Sequence, residues 1–151
     1  MSEHGTDRLI GFNQVNDRAV SWARERAETA PDEEWRTVWT LVADGLATNV
    51  GSREIVKRAV AAGFDPKRAE GSVGTAIAHA NSFAALLDYM ASRRSGVRIR
   101  KVWLAAPGSC RICAANAKQG PIALERPFKS GHLTPPAHLD CRCALSPHVD
   151  R

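Results

Sequence analysis

The 151-residue chain is long enough for one domain, or one domain with an appendage, and its 44% hydrophobic and 25% charged residues are those of an ordinary soluble globular protein. No apolar run approaches the ~20 residues of a membrane span, and the start, Met-Ser-Glu-His-Gly-Thr-Asp-Arg, lacks the apolar centre of a signal peptide. A reducing cytosol is therefore the expected setting, with the four cysteines as thiols or metal ligands and not disulfides. The net charge of +5 is unevenly spread: residues 1–90 carry ten Lys/Arg against thirteen Asp/Glu, or −3, and residues 91–151 carry eleven against three, or +8. A basic segment on a mildly acidic body suggests a polyanion or an acidic protein face as partner, or equally a solvated surface that keeps the protein soluble.

The first ninety residues read as helix. Around Asp17 to Ala30, Val20, Ala23 and Ala27 share a face with Trp22 beside them. Pro31 is expected at a first helical position, with Asp32, Glu33 and Glu34 on the positive end of the next helix. There Trp35, Val38, Trp39, Val42 and Leu46 keep helical spacing, and Gly45 either weakens the helix or brings it close to a neighbour. Ser52 is expected to cap a shorter helix through Ile55, Val56, Ala59 and Val60 that stops at Gly63. Asp65-Pro66 opens a long helix reaching about Arg93, with Val73, Ile77, Ala80, Ala84, Leu87 and Met90 as its stripe. Gly71 and Gly74 mark a close helix contact or a break, and His79 and Asn81 are surface or packing residues.

At Gly96 the texture changes. "VRIRKVWL" (97–104) is rich in β-formers, with a slip at Arg100-Lys101 that a bulge would accommodate, and "GPIAL" (120–124) suits a second short strand. The expected fold class is mainly α (α+β): a helical body over 1–95 with a long helix, then a small basic module over 96–151, rich in β and loop and stapled by metal.

The module carries Cys110-x-x-Cys113 and His138-x-x-Cys141-x-Cys143. A C-x-x-C turn presents two sulfurs to one tetrahedral ion, and a second pair a few tens of residues on closes the site. Cys110 and Cys113 are the firm pair, and the second pair is drawn from His138, Cys141 and Cys143, among which spacing does not choose. Large apolar residues are few from Trp103 onward, so a cross-link is needed. A structural Zn2+, at ~10–16 kcal/mol, supplies more than a disulfide at ~2–4 kcal/mol. Four protein ligands leave no open position for catalysis, and His132 and His148 are bystanders. Arg93, Arg94, Arg98, Arg100 and Lys101 form an acid-free run suited to non-specific phosphate contact with DNA.

In this order, Trp103, Cys110, Cys113, Gly120, Pro135-Pro136 and "HLDCRC" (138–143) resemble the zinc-type C-terminal module of the phage head morphogenesis family, the MuF-like minor head proteins. Upstream, "GSREIVKRAV" and "VGTAIAHANSFA" resemble that family's helices more loosely, so that the likeness covers roughly residues 46–145. Leu139 stands where the family has proline, Ala76 where a glutamate is usual, and Ala106-Pro107-Gly108 where an acidic residue often precedes the first cysteine. The resemblance implies a non-enzymatic virion protein without catalytic residues, associated with portal and capsid proteins and with packaged DNA. It would be found in the host cytoplasm during assembly and in the head interior afterwards, without a membrane, and with a homo-oligomer as a further option. Two rivals are a zinc-braced nuclease of the His-Asn-His type and a zinc-finger nucleic-acid-binding module. The first needs a second metal site with a paired histidine, whereas the tail offers His132, His138 and His148 singly.

Overall fold

A computed structural model describes residues 3–150, with side-chain surroundings from residue 16 onward. Five helices and one two-stranded sheet make up its architecture, mainly α with a small β component. The first helix, α1 (Glu3–Thr29), turns Ala19, Trp22 and Ala23 inward at i, i+3 and i+4. Trp22 stacks on Phe83 at 5.1 Å and meets the edge of Trp39 at 5.2 Å, so the tryptophans are core.

The second helix, α2 (Glu33–Ala47), starts later than the proline rule suggests. Asp32, in extended conformation, is the N-cap, and its Oδ1 accepts the Trp35 N–H at 2.8 Å; Pro31 lies outside the helix. A similar correction applies to α3 (Ser52–Ala61): Gly51 is its N-cap and Ser52 its first helical residue, with no side-chain cap. Gly45 is a close-approach residue. A Cβ there would lie 2.4 Å from Ile55 Cδ1, so α2 meets α3 where neither can accept another carbon.

Asp65 caps α4 (Pro66–Arg94) as its sequence indicates, Oδ2 accepting the Arg68 N–H at 3.1 Å. The 29 residues run unbroken through Gly71 and Gly74. This helix packs against α1, α2 and α3 and also touches both strands. Val73, Ala76, Ala80 and Ala84 join the core of the four helices, while Ile77, Leu87 and Met90 are half-buried. His79 packs on Trp22, ring centroids 4.5 Å apart, and Asn81 is exposed.

A second buried cluster lies beyond residue 100. There β1 (Ile99–Leu104) pairs antiparallel with β2 (Ala144–Val149), in unbroken register from Ile99↔Val149 to Leu104↔Ala144. No bulge occurs at Arg100-Lys101. The pairing explains how β2 accommodates Pro147, which has no N–H to give. Its partner Lys101 points both backbone groups the other way, to Ile122, at 2.9 Å each. That contact with Ile122 is an isolated bridge, so "GPIAL" contributes one paired residue and not a strand. The module also holds a helix, α5 (Arg111–Lys118), that begins immediately after Cys110.

Candidate metal centre

The ligand candidates come from two local devices, the start of α5 and one loop before β2. Cys110 is the N-cap of α5, and Cys113 follows one turn later, fully buried. His138, Cys141 and Cys143 come from the loop between the Pro135-Pro136 pair, whose peptide bond is cis, and β2. Within that loop Asp140 takes φ +63°, a left-handed turn between His138 and Cys141. Its backbone N–H donates to Thr75 Oγ1 at 2.9 Å, and that hydroxyl donates to the Gly71 carbonyl at 2.7 Å. The ligand loop is thus pinned to the first half of α4. Gly71 leaves room for the Asp140 carboxylate, since a Cβ there would lie 3.0 Å from Oδ1.

The five ligand atoms form two overlapping triplets, Cys110–Cys113–His138 and Cys113–Cys141–Cys143, each within 4.8 Å. Cys113 belongs to both. His138 Nε2 is 3.3 Å from Cys110 Sγ and 3.5 Å from Cys113 Sγ, and Cys113 Sγ is 3.8 Å from Cys141 Sγ. A tetrahedral ion bonded at about 2.3 Å to sulfur and about 2.0–2.1 Å to nitrogen holds two sulfurs about 3.8 Å apart, and a sulfur and a nitrogen about 3.5–3.6 Å apart. The Cys113–His138 and Cys113–Cys141 separations match edges of such a tetrahedron, and the Cys110–His138 separation is slightly shorter than one. The cluster therefore has the donors and the spacing to hold a metal ion.

Its surroundings favour ligand forms of these groups. His138 Nδ1 lies 2.8 Å from the Leu139 carbonyl, which can only accept, so Nδ1 carries the proton and Nε2 turns its lone pair toward the sulfurs. Cys110 is drawn down to about 7, chiefly by the backbone N–H of Cys113. Burial works against the Cys143 thiolate, but the N–H groups of the Ala106 backbone and of Trp103 outweigh it and lower that thiol. Trp103 Nε1 is buried without a hydrogen-bond partner, and an orphaned donor beside Cys143 favours negative charge on that sulfur. Cys113 moves the opposite way: burial, then its contacts with Cys110, Cys143 and Cys141, push it up. Several thiolates this close repel one another, and a bound dication removes that conflict.

The basic run assigned to phosphate contact is not a shared surface. Lys101 is 0% exposed; its Nζ donates to the Leu133 carbonyl at 2.8 Å and lies 4.8 Å from the Phe128 ring centroid. Burial brings this amine down to about 8. Arg93 pairs with Glu125, and Arg100 holds both Asp150 oxygens at 3.0 and 2.8 Å. Arg94 and Arg98 are exposed and outside any ion pair among the described residues. Lys101 is therefore withdrawn from the phosphate-contact set, because alternation along β1 turns it into the module core. His132 Nδ1 lies 2.9 Å from Ser130 Oγ and His148 Nε2 lies 3.2 Å from Asp150, so neither joins the cluster.

Sequence reasoning overlooked the buried Trp103 N–H beside Cys143 and the Asp140–Thr75 tether. A tryptophan seven residues before a C-x-x-C gives a weak signal for the first, and nothing in the sequence signals the second. Among the described residues no helix is long and apolar enough to cross a membrane. No protein-family model, curated protein or solved structure matches the chain.

Proposed function

We propose that the cluster binds one structural zinc ion, and that the chain is a non-enzymatic minor head protein of a tailed phage or prophage. The observation that carries the metal assignment is the gathering of five Cys and His donor atoms into two overlapping triplets, each within 4.8 Å, with the 3.5 and 3.8 Å separations matching edges of a tetrahedral site. Thiolate-rich donors with one imidazole suit zinc, and four protein ligands exclude the water that a catalytic site keeps. Cys110, Cys113 and His138 supply three ligands, and Cys141 or Cys143 the fourth. The ion's role is to close the module and hold the ligand loop on α4.

The virion assignment is supported by the order of Trp103, Cys110, Cys113, Gly120, Pro135-Pro136, His138, Cys141 and Cys143, which resembles the tail of the MuF-like minor head proteins. Portal and capsid proteins are the partners this reading supplies, with packaged DNA touching exposed cations such as Arg94 and Arg98. Its test is to tag the chain, express it during particle assembly and identify by mass spectrometry what sediments with it. Portal and major capsid protein in the pellet is the expected result. A chain that stays with host factors or nucleic acid alone refutes the virion assignment. Metal analysis of the same material tests zinc separately, with one ion per chain expected.

A further inference from the structure

Beside the metal cluster runs a groove of about 950 Å³ between α3, α4 and the ligand loop. Its floor is the face of α4 from Lys67 to Ala78, eleven residue steps or roughly 16 Å, which is about three helical turns. That floor is small-featured: Gly74 is exposed, and a Cβ placed on it meets nothing within 4 Å. Ala78, and Val56 from α3, add apolar surface. Four cations line the groove, Arg53 and Lys57 from α3, Lys67 from α4 and Arg142 from the ligand loop. Among the described residues none of the four is in an ion pair, whereas Arg58, Arg68, Arg93 and Arg100 elsewhere all are. Glu70 and Asp140 also border the groove, and four positive against two negative leaves it at +2.

We propose that this groove is the docking site for an acidic amphipathic helix of a partner protein. Small residues at helical spacing let a second backbone approach closely, and an apolar face would sit on Val56, Gly74 and Ala78. Carboxylates flanking that face would meet Arg53, Lys57, Lys67 and Arg142, four cations without partners of their own. Single-stranded nucleic acid fits less well. No aromatic side chain lines the groove to stack an unpaired base. Because Asp140, Cys141, Arg142 and Cys143 form one wall, the inference rests on the metal reading for the stability of that wall. It does not rest on the virion assignment.

The experiment pans a displayed library of random peptides, each about 15 residues long to exceed three helical turns, against the full chain loaded with zinc. Selected peptides are synthesised with a fluorophore and titrated by anisotropy, alongside labelled duplex and single-stranded DNA. The expected result is enrichment of Glu/Asp-rich sequences with apolar residues at i, i+3 and i+4. Their affinity should fall about tenfold or more in Lys57→Glu/Arg142→Glu and in Gly74→Leu, and fall with added salt. The Cβ of Gly74→Leu meets nothing within 4 Å and leucine has the higher helix propensity, so thermal stability should not fall while binding is lost. Selection of non-acidic peptides, or affinity indifferent to both variants, overturns the proposal. So does a preference for DNA that the same charge reversal abolishes. Metal content is measured in each sample: a zinc-loaded chain that binds no acidic helix refutes the groove alone, and a metal-free chain that binds it refutes the metal reading alone.

Discussion

Gly45 in the last turn of α2 and Gly74 in the interior of α4 both have helical backbone, where alanine gains up to about 0.8–1 kcal/mol over glycine. The structure predicts opposite outcomes for the two. At Gly74 the added methyl meets nothing within 4 Å, so Gly74→Ala should realise the gain. At Gly45 the methyl would sit 2.4 Å from Ile55 Cδ1, 2.5 Å from Cγ1 and 3.3 Å from Val50 Cγ2. Ordinary carbon contact is about 3.5–4.0 Å, so the shortfall is roughly 1 Å. Ile55 is 0% exposed and β-branched, so it cannot swing clear, and α3 must shift from α2. Overpacking costs about 1–3 kcal/mol, and a shortfall this large against an immobile side chain falls in the upper part of that range, about 2–3 kcal/mol, so after the propensity gain Gly45→Ala should lose about 1–2 kcal/mol. For a chain of this size that lowers the melting temperature by about 2–8 °C, while Gly74→Ala raises it by about 2–4 °C. Far-ultraviolet circular dichroism melts of the three proteins in one buffer measure both. If Gly45→Ala melts at or above the unsubstituted protein, α2 and α3 do not meet as described, and the α3 wall of the groove loses its support.

Three further outcomes follow from the same packing. Cys113→Ser should abolish stoichiometric zinc and make residues 96–151 protease-sensitive while α1–α4 keep their helical signal, because Cys113 alone belongs to both ligand triplets; a tail that stays resistant contradicts the staple. Burial, then the charges of Arg26 and His132, lower His79 to about 4 against an ordinary 6.5. The folded protein therefore holds His79 neutral while the unfolded chain protonates, and the stability this contributes is complete above pH 6.5 and lost as pH falls toward 4. Allowing for its partial exposure, that is about 2–3 kcal/mol, so His79→Phe should flatten the slope of urea stability over this window, and equal slopes refute the assignment. Lys101→Met should leave any DNA affinity within about twofold of the original, since a buried amine makes no phosphate contact; a large loss in filter binding contradicts its inward orientation.

Elements were legible in the sequence where one local signal decides them. Asp65-Pro66 fixes the start of α4 because cap and ring geometry act within a single turn. The spacing of Cys110, Cys113, His138, Cys141 and Cys143 was enough to anticipate one cluster, because metal geometry limits what such spacings can serve. Starts that depend on competition were misplaced by a residue or two: Asp32 outcompetes Pro31, and Gly51 serves as cap with no side chain at all. The partner of β1 was not legible. "ALSPHV" carries a proline that argues against a strand, and only the orientation of Lys101 toward Ile122 makes Pro147 harmless. Lys101 shows the same limit. A lysine within a basic run looks solvated, and its burial depends on a carbonyl at Leu133 and a ring at Phe128 supplied by distant chain.

The β1–β2 pairing also shapes what the module can be to its host chain. Ile99 sits across from Val149, and the Asp150 N–H donates to the Arg98 carbonyl at 2.8 Å, so the two ends of the segment are adjacent. A segment whose ends meet can be transplanted between scaffolds without stretching either, because the receiving backbone needs only a gap of one strand pair. The ligand set, the second buried cluster and Arg98 at its base would travel together. The portable unit of this protein is thus a loop closed twice, by hydrogen bonds at its base and by sulfur and imidazole near its tip.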